Sequence, residues 1–306
     1  QVKRVIEQAQ ELAQRDGHYG TFIAKARGTA DEALQSRLTE AATAAQDAMA
    51  EIAQFLKIEI APLAVQDDAC GREDYELFSR QFLGAQVDLD ETYEWGLDQL
   101  AHIDAEQKKV IEQLYPGASL TQAFEALNND PKYTIHGLDG LKTWMQEKAD
   151  EAISMLAGTH FDIAEPLKTI ECMVLEDGTG GIYYTGPTDD FSRPGRMWWS
   201  VPRGVETFAA WQELTTVYHE GVPGHHLQVA QATYLRDTLN TWRRNLCWVS
   251  GHGEGWALYA ERFMHEQGFL EEPAYYFGML DSQRLRAARV CLDIGVHPVS
   301  YTHLTL

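Results

Sequence analysis

The chain has 306 residues, a formal net charge of −21 and a hydrophobic content of 44%. This length buries a sizeable core in one or two domains. The negative charge argues against nucleic acid and anionic membranes as partners, and no apolar run approaches the roughly 20 residues of a membrane-spanning segment. The four cysteines are widely spaced, which argues against a disulfide framework and favours a reducing, cytoplasmic compartment.

Both ends of the chain are unusual. Gln1 begins inside a helical pattern, and residues 299–306 read like a translated sequencing adaptor. We therefore expect the natural sequence to end near Pro298, residues 299–306 to be a non-native read-through tail, and the chain to be a fragment truncated at both ends. A signal peptide or lipoprotein anchor in a missing start is compatible with this pattern.

Residues 1–165 are predicted to form an N-terminal helical region. Residues 1–60 are rich in good helix formers with amphipathic spacing, and residues 141–157 repeat that pattern. Two pairs resemble capping boxes at helix starts: Asp88 with Glu91, and Ser119 with Gln122.

Composition shifts near residue 165, and residues 166–298 are predicted to form a second region. Residues 170–175, 181–184 and 196–201 read as the strands of a small antiparallel sheet. An edge strand of such a sheet can hold an extended peptide by backbone pairing.

The segment from His219 to Gln228 carries the densest chemistry, after a helix predicted at 206–218. In an H-E-x-x-H motif, histidines four apart lie about 40° apart around a helix, so both reach one metal. Pro223 occupies that second position here. His225 would lie roughly 240° from His219 on a regular helix, whereas His226 would share its face about 10.5 Å further along. A regular helix therefore favours His226, and a distorted one favours His225.

The intervening residues favour distortion. Pro223 lacks an N–H, and its ring clashes with the carbonyl of His219 in a continuous helix. Gly221 and Gly224 tolerate backbone angles that other residues avoid. We expect a local bulge that brings His225 to the metal.

A second cluster runs from Glu254 to Glu261, after a helix predicted at 229–243 and a turn at 246–253. Catalytic zinc takes three protein ligands and a water, and a nearby carboxylate takes a proton from that water. Glu261 lies seven residues beyond Glu254 on nearly the same helix face. It is either a hydrogen-bond partner for a zinc-binding histidine or an exposed helix glutamate.

The segments HEGVPGHHLQ and EGWALYAE together resemble a bacterial domain-of-unknown-function family of the gluzincin zinc-peptidase clan. The hallmark of that family is H-E-x-x-P-G-H followed by E-G-W-A, and the resemblance covers roughly residues 170–297. It implies a zincin-like fold in which residues 166–298 are the zinc-binding catalytic region and the small sheet lies beside the zinc helix. It also implies His219, His225 and Glu254 as zinc ligands, and Glu220 as the general base.

The last predicted helix covers residues 273–290 and leads into a stretch that recurs in the resembling family as Arg…Asp-x-Gly-x-His. This recurrence predicts that Arg289 or His297 faces the substrate. The competing interpretation is a structural ion pair between Arg289 and Asp293, four residues apart.

The sequence thus predicts a mainly α protein with a small antiparallel sheet that acts as a zinc metallopeptidase on peptide substrates. Tyr183, Tyr184 and His297 are candidate oxyanion stabilisers. Two alternatives remain: a metal-dependent hydrolase of a non-peptide amide or ester, and a catalytically inactive metal-bound binding module. Oligomeric state, compartment and endo- or exopeptidase action are not determined by these patterns.

Overall fold

The computed structural model describes residues 1–27, 31–65, 69–176 and 181–298. The predicted tail at 299–306 lies outside these residues. The chain divides into two compact units, Gln1–Asp68 and Ala69–Leu306. The helices between residues 69 and 165 therefore belong to the same compact unit as the motif region.

The first unit is helical. Its helices are α1 (Val2–Ala13), α2 (His18–Ala26) and α3 (Glu32–Phe55), and a π-helical turn at Leu56–Ile60 follows. Both α1 and α2 pack against α3. Small Ala42 and Ala53 are buried on α3, and the Gln46 side chain accepts a 2.9 Å hydrogen bond from Arg15.

The first part of the second unit is also helical, as predicted. Its helices are α4 (Arg72–Leu83), α5 (Leu89–Leu114), α6 (Leu120–Asn129) and α7 (Leu138–Leu156). Ser119 and Gln122 form the predicted capping box on α6. Asp88 caps α5 through its side chain, which accepts from the backbone N–H groups of Asp90 and Glu91.

The strands are β1 (Thr134–His136), β2 (Ile170–Leu175), β3 (Ile182–Thr185), β4 (Gly195–Ser200) and β5 (Thr207–Ala209). The strand order β2-β4-β3 places β4 in the middle, antiparallel to β3 but parallel to β2. The prediction of an antiparallel sheet was therefore wrong for β2, because the returning chain inserts β4 between the two earlier strands. β1 and β5 form a separate two-stranded antiparallel sheet.

The remaining helices are α8 (Ala210–Glu220), α9 (His225–Tyr234), α10 (Thr241–Asn245), α11 (Ser250–Glu266) and α12 (Pro273–Val296). The single helix predicted at 229–243 was wrong. The chain leaves α9 at Leu235, and Asn240 starts α10 by accepting a hydrogen bond from the Arg243 N–H. The turn predicted at 246–253 ends earlier, because α11 already includes Gly251 and Gly253.

The core of the second unit lies where α12 packs against α5 and α8. Trp211, Leu214 and Val217 of α8 are almost fully buried there. Gly278 of α12 permits the close approach, since a Cβ at that position would lie 1.9 Å from the Trp211 carbonyl oxygen. The motif helix α8 is thus held on a packed core, which fixes the direction of the side chains at its end.

Candidate metal centre

The H-E-x-x-P-G-H segment forms a break between two helices. α8 ends at Glu220, the Val222–Pro223 peptide bond is cis, and α9 begins at His225. A Cβ on Gly224 would lie 1.9 Å from the His219 carbonyl oxygen, so this close turn requires glycine. The predicted bulge is therefore a complete break, and His225 enters the site from the first turn of a new helix.

The second motif supports this break. Trp256, on the first turns of α11, donates a 2.8 Å hydrogen bond from its indole N–H to the Pro223 carbonyl oxygen. Its neighbour Glu254 faces the two histidines across the gap. The E-G-W-A segment therefore contributes both a carboxylate and a support for the turn, which gives a physical reason for the two motifs to occur together.

The side chains of His219, His225 and Glu254 converge. The Nε2 atom of His219 lies 3.3 Å from Glu254 Oε2, and the Nε2 atom of His225 lies 3.7 Å from Glu254 Oε1. Ligand atoms of His219, Glu220 and His225 lie within 4.8 Å of one another. Of the two histidines that the sequence left open, the structure places His225 in the cluster.

His226 has a different environment. It is buried, and its Nε2–H donates to the Leu167 carbonyl oxygen at 2.8 Å. Its Nδ1 accepts from the Tyr184 hydroxyl at 2.9 Å. Burial lowers the pKa of His226 to about 4, so the ring is neutral and both of its nitrogens are occupied by protein partners.

Glu261 holds the first histidine from behind. Its carboxylate is buried on α11 and accepts from His219 Nδ1 at 2.8 Å and from the Thr215 hydroxyl at 2.7 Å. A proton on Nδ1 leaves the Nε2 lone pair of His219 directed at the cluster. The sequence left two interpretations of Glu261: an exposed helix glutamate, or a hydrogen-bond partner of a zinc-binding histidine. The structure shows it buried and bonded to His219, which is a candidate ligand.

The cluster lies in a cavity of about 560 Å³. Its walls include Tyr183 and Tyr184 of β3, Trp248 just before α11, and Arg286 of α12. Gly253 allows Trp248 to lie close to α11, because a Cβ there would be 2.3 Å from the indole ring. Sequence reasoning missed Trp248 and Arg286; neither has a spacing relation to the histidine motif that could have marked it.

Burial and charge act on the cluster in opposite directions. Burial alone lowers the pKa of His219, but the Glu254 and Glu261 carboxylates outweigh it and raise the pKa to about 9. Contacts with His219 and His225 hold the pKa of Glu254 well below its usual range. Burial raises the pKa of Glu220. The gathered carboxylates make this part of the cavity a favourable place for a cation.

These residues fit a zinc ion. Two imidazole nitrogens and one carboxylate are a common donor set of catalytic zinc, and the Nδ1 contacts of both histidines leave their Nε2 atoms facing Glu254. Glu220 Oε2 is buried without a hydrogen-bond partner in the described chain. Such an orphaned oxygen indicates a missing ligand such as water or an ion.

The remaining predicted site residues lie in different places. Tyr183 lines the cavity and is 41% exposed, whereas the Tyr184 hydroxyl is engaged by His226. His297 stacks on Tyr75 and accepts from the Cys70 backbone N–H, and it is not among the described residues that line the cavity.

Arg289 is exposed and is not among the described residues that line the cavity. The competing ion pair was wrong, since the ion pairs of the described residues do not include Arg289 with Asp293. Asp293 accepts a 2.6 Å hydrogen bond from the Tyr75 hydroxyl. Arg286, three residues earlier on α12, lines the cavity instead.

Every helix in the described ranges is too short or too polar to cross a bilayer. Two solved structures share the fold of the chain. One, from Colwellia psychrerythraea, is titled a "putative lipoprotein"; it is 22% identical with a TM-score of 0.80, and the match covers 98% of this chain and 55% of that one. The other, a "putative lipoprotein of unknown function" from Shewanella oneidensis, is 17% identical with a TM-score of 0.64, covering 98% and 57%.

The chain therefore spans little more than half the length of these two structures. No curated protein matches it. A family profile described as "Bacterial protein of unknown function (DUF885)" matches residues 1–302. Because this match covers nearly the whole chain, the protein belongs to the DUF885 family.

Proposed function

We propose that the protein is a zinc-dependent peptidase of the gluzincin type. The observation that carries the proposal is the convergence of His219, His225 and Glu254 beside the unpartnered Glu220 Oε2 atom. Side chains from two motifs and three helices meet there, and the carboxylate expected to act as base is the one left without a partner.

His219, His225 and Glu254 would hold the zinc ion, with Glu261 orienting His219. When bound, zinc lowers the pKa of a water molecule and polarises a substrate carbonyl. Glu220 takes a proton from the attacking water and passes it to the leaving amine. Burial, which raises the pKa of Glu220, makes it a stronger base for this transfer than an exposed glutamate.

The sheet beside the cavity supports an extended peptide as substrate. β3 lies at one end of the strand order, and its residues Ile182 and Tyr183 line the cavity. An edge strand offers backbone N–H and C=O groups that pair with an extended chain. Tyr183 is the remaining tyrosine candidate for stabilising the oxyanion, since the Tyr184 hydroxyl bonds His226.

The location of the protein is a separate part of the proposal. Both structural neighbours are described as a "putative lipoprotein". We propose by analogy that this protein is exported and lipid-anchored, in place of the cytoplasmic location expected from the cysteines. Metabolic labelling of the parent protein with a palmitate analogue, followed by cell fractionation, tests it. Unlabelled protein in the cytoplasmic fraction would restore the earlier expectation.

Metal analysis combined with a peptide-library assay tests the activity. We expect about one zinc per chain, cleavage that stops when a chelator removes the metal, and recovery when zinc is restored. His102→Ala, which removes an exposed histidine on α5, serves as the matched control and should keep both zinc and cleavage.

Two results would redirect the proposal. Turnover of ester or non-peptide amide substrates without peptide cleavage would identify a different hydrolase at the same centre. Bound zinc with no turnover of any substrate would identify a binding module, which is the outcome that the unpartnered Glu220 oxygen argues against.

A further inference from the structure

Arg286 of α12 is the cation in the cavity that the proposed chemistry leaves unused. Its guanidinium is hydrogen bonded to the Ser282 side chain one turn earlier. Its Nη2 atom lies 3.7 Å from Glu261 Oε1, beyond hydrogen-bond distance. Arg286 is therefore held in place by charge while several of its N–H donors stay available to a ligand.

The charges around Arg286 indicate which class of ligand it binds. Among the described residues lining the cavity, the other titratable side chains are the carboxyl groups of Glu220 and Glu254, the two histidines of the metal cluster and two tyrosines. A peptide backbone is neutral and needs no cation. A free carboxylate, by contrast, would be repelled by both glutamates and accepted at Arg286, whose planar donors match a carboxylate in pairs.

We propose that Arg286 binds the free α-carboxylate of the substrate, so that the protein removes residues from the carboxyl end of peptides. This inference rests on the proposed peptidase function and names its substrate class.

The position of Arg286 agrees with cleavage near the chain end. Its Nη2 atom and the Nδ1 atom of His219 approach the same oxygen of Glu261, at 3.7 and 2.8 Å. Arg286 is thus one side chain removed from a candidate zinc ligand. Because an extended residue spans roughly 3.5 Å, a carboxylate at Arg286 lies within about one or two residues of a bond cleaved at the metal.

Paired peptides that differ only in a free or amidated carboxyl end test the proposal. The wild-type chain should cleave the free acid with the higher kcat/KM. Arg286→Gln should lower that value roughly 10- to 100-fold, mainly through KM, and should leave the amidated peptide almost unchanged, because charge-assisted hydrogen bonds are lost for the acid alone. Arg286→Lys, which keeps the charge but not the planar donor pair, should fall between the two.

Arg289→Gln is the matched control, because Arg289 lies three residues further along α12, exposed and outside the described lining. It should behave as wild type. Equal losses for acid and amide in Arg286→Gln would instead show a general role in orienting Glu261 and would overturn carboxylate recognition. Equal cleavage of both peptides by the wild-type chain would overturn it while leaving the peptidase function intact.

A binding measurement separates this inference from turnover. In a Glu220→Gln background, fluorescence anisotropy should show the free-acid peptide binding roughly 10- to 100-fold tighter than its amide, and Arg286→Gln should abolish that difference. If no peptide is cleaved by the wild-type chain, the peptidase proposal fails and this binding difference alone decides the role of Arg286. Equal binding of acid and amide would refute it.

Discussion

The two sides of the α8–α9 break carry the same kinds of residue, but their polar atoms differ in whether they have hydrogen-bond partners within the protein. On the cavity side, His225 directs Nε2 at Glu254, and Glu220 Oε2 is left without a partner in the described chain. On the sheet side, His226 uses both ring nitrogens, on Tyr184 and on Leu167. Adjacent histidines thus differ in role because their partners differ.

Two glutamates of α8 repeat this contrast. Glu213 accepts a 3.2 Å hydrogen bond from the Trp199 indole N–H of β4, whereas Glu220 keeps one buried oxygen open. Burial raises the pKa of both. A buried polar group with its partners in place stabilises the fold, while one left open at a cavity is available for chemistry.

The largest expected effect is the fall in kcat when Glu220, the carboxylate with an unpartnered oxygen, is changed. Glu220→Gln keeps the size of the side chain but removes the base, so we expect kcat to fall by ~10²–10⁴ while zinc stays bound. Steady-state kinetics with metal analysis of the same sample measures this. Loss of zinc would make Glu220 a ligand, and a near-normal rate would remove it from the mechanism.

The adjacent histidines provide the next test. His225→Ala removes a ligand, and its zinc affinity should fall by more than the ~10–100-fold typical of losing an outer partner. His226→Ala should retain zinc but lower the free energy of unfolding, by about 1–3 kcal/mol for each buried partner left unpaired. Competition with a chelating dye and urea denaturation measure the two effects. An exchange of these outcomes would reverse the assignment of the ligand.

A smaller effect on zinc affinity is expected from Glu261, which bonds to His219 on the side away from the cluster. Glu261→Gln weakens the orientation of His219 and should reduce zinc affinity by ~10–100-fold without abolishing binding. Glu266→Gln, on the same helix but exposed, is the control and should bind zinc normally. Unchanged affinity in Glu261→Gln would reduce Glu261 to a packing role.

The smallest expected effect is a pH-dependent change in the free energy of unfolding caused by Glu213, on the sheet side of α8. Because the pKa of Glu213 is raised in the folded state, its contribution to stability is present below the unfolded pKa and is lost as pH rises through the folded pKa. Glu213→Gln keeps the acceptor for Trp199 without the charge. It should be more stable than wild type at pH 7, on the order of 1 kcal/mol, with a difference that shrinks toward pH ~4.

Denaturation curves across this pH range measure the Glu213 effect, with exposed Glu206→Gln as the control. A pH-independent difference would mean that packing, and not charge, distinguishes Glu213.

The local patterns of the sequence were sufficient for several of the helices and strands. Capping at Ser119 and the strand at Ile170–Leu175 depend on neighbouring residues, so they were predicted closely. The motif helix was predicted from residue 206, but it begins at Ala210, because Thr207–Ala209 pairs as strand β5 with β1. The pairing of Glu254 with His219 and His225 followed from the resemblance of the two motifs to a known family. Pro223 and the flanking glycines correctly indicated a distorted helix, because those effects act within one turn.

Only the tertiary structure decided the features that join distant segments. The central place of β4, the engagement of His226 by Tyr184 and the support of Pro223 by Trp256 have no spacing rule in the chain. Arg286 reaches the cavity because α12 packs against α8, whereas the sequence pattern on this helix pointed to Arg289 instead. Local chemistry determines which side chains are available, whereas long-range packing selects which of them meet.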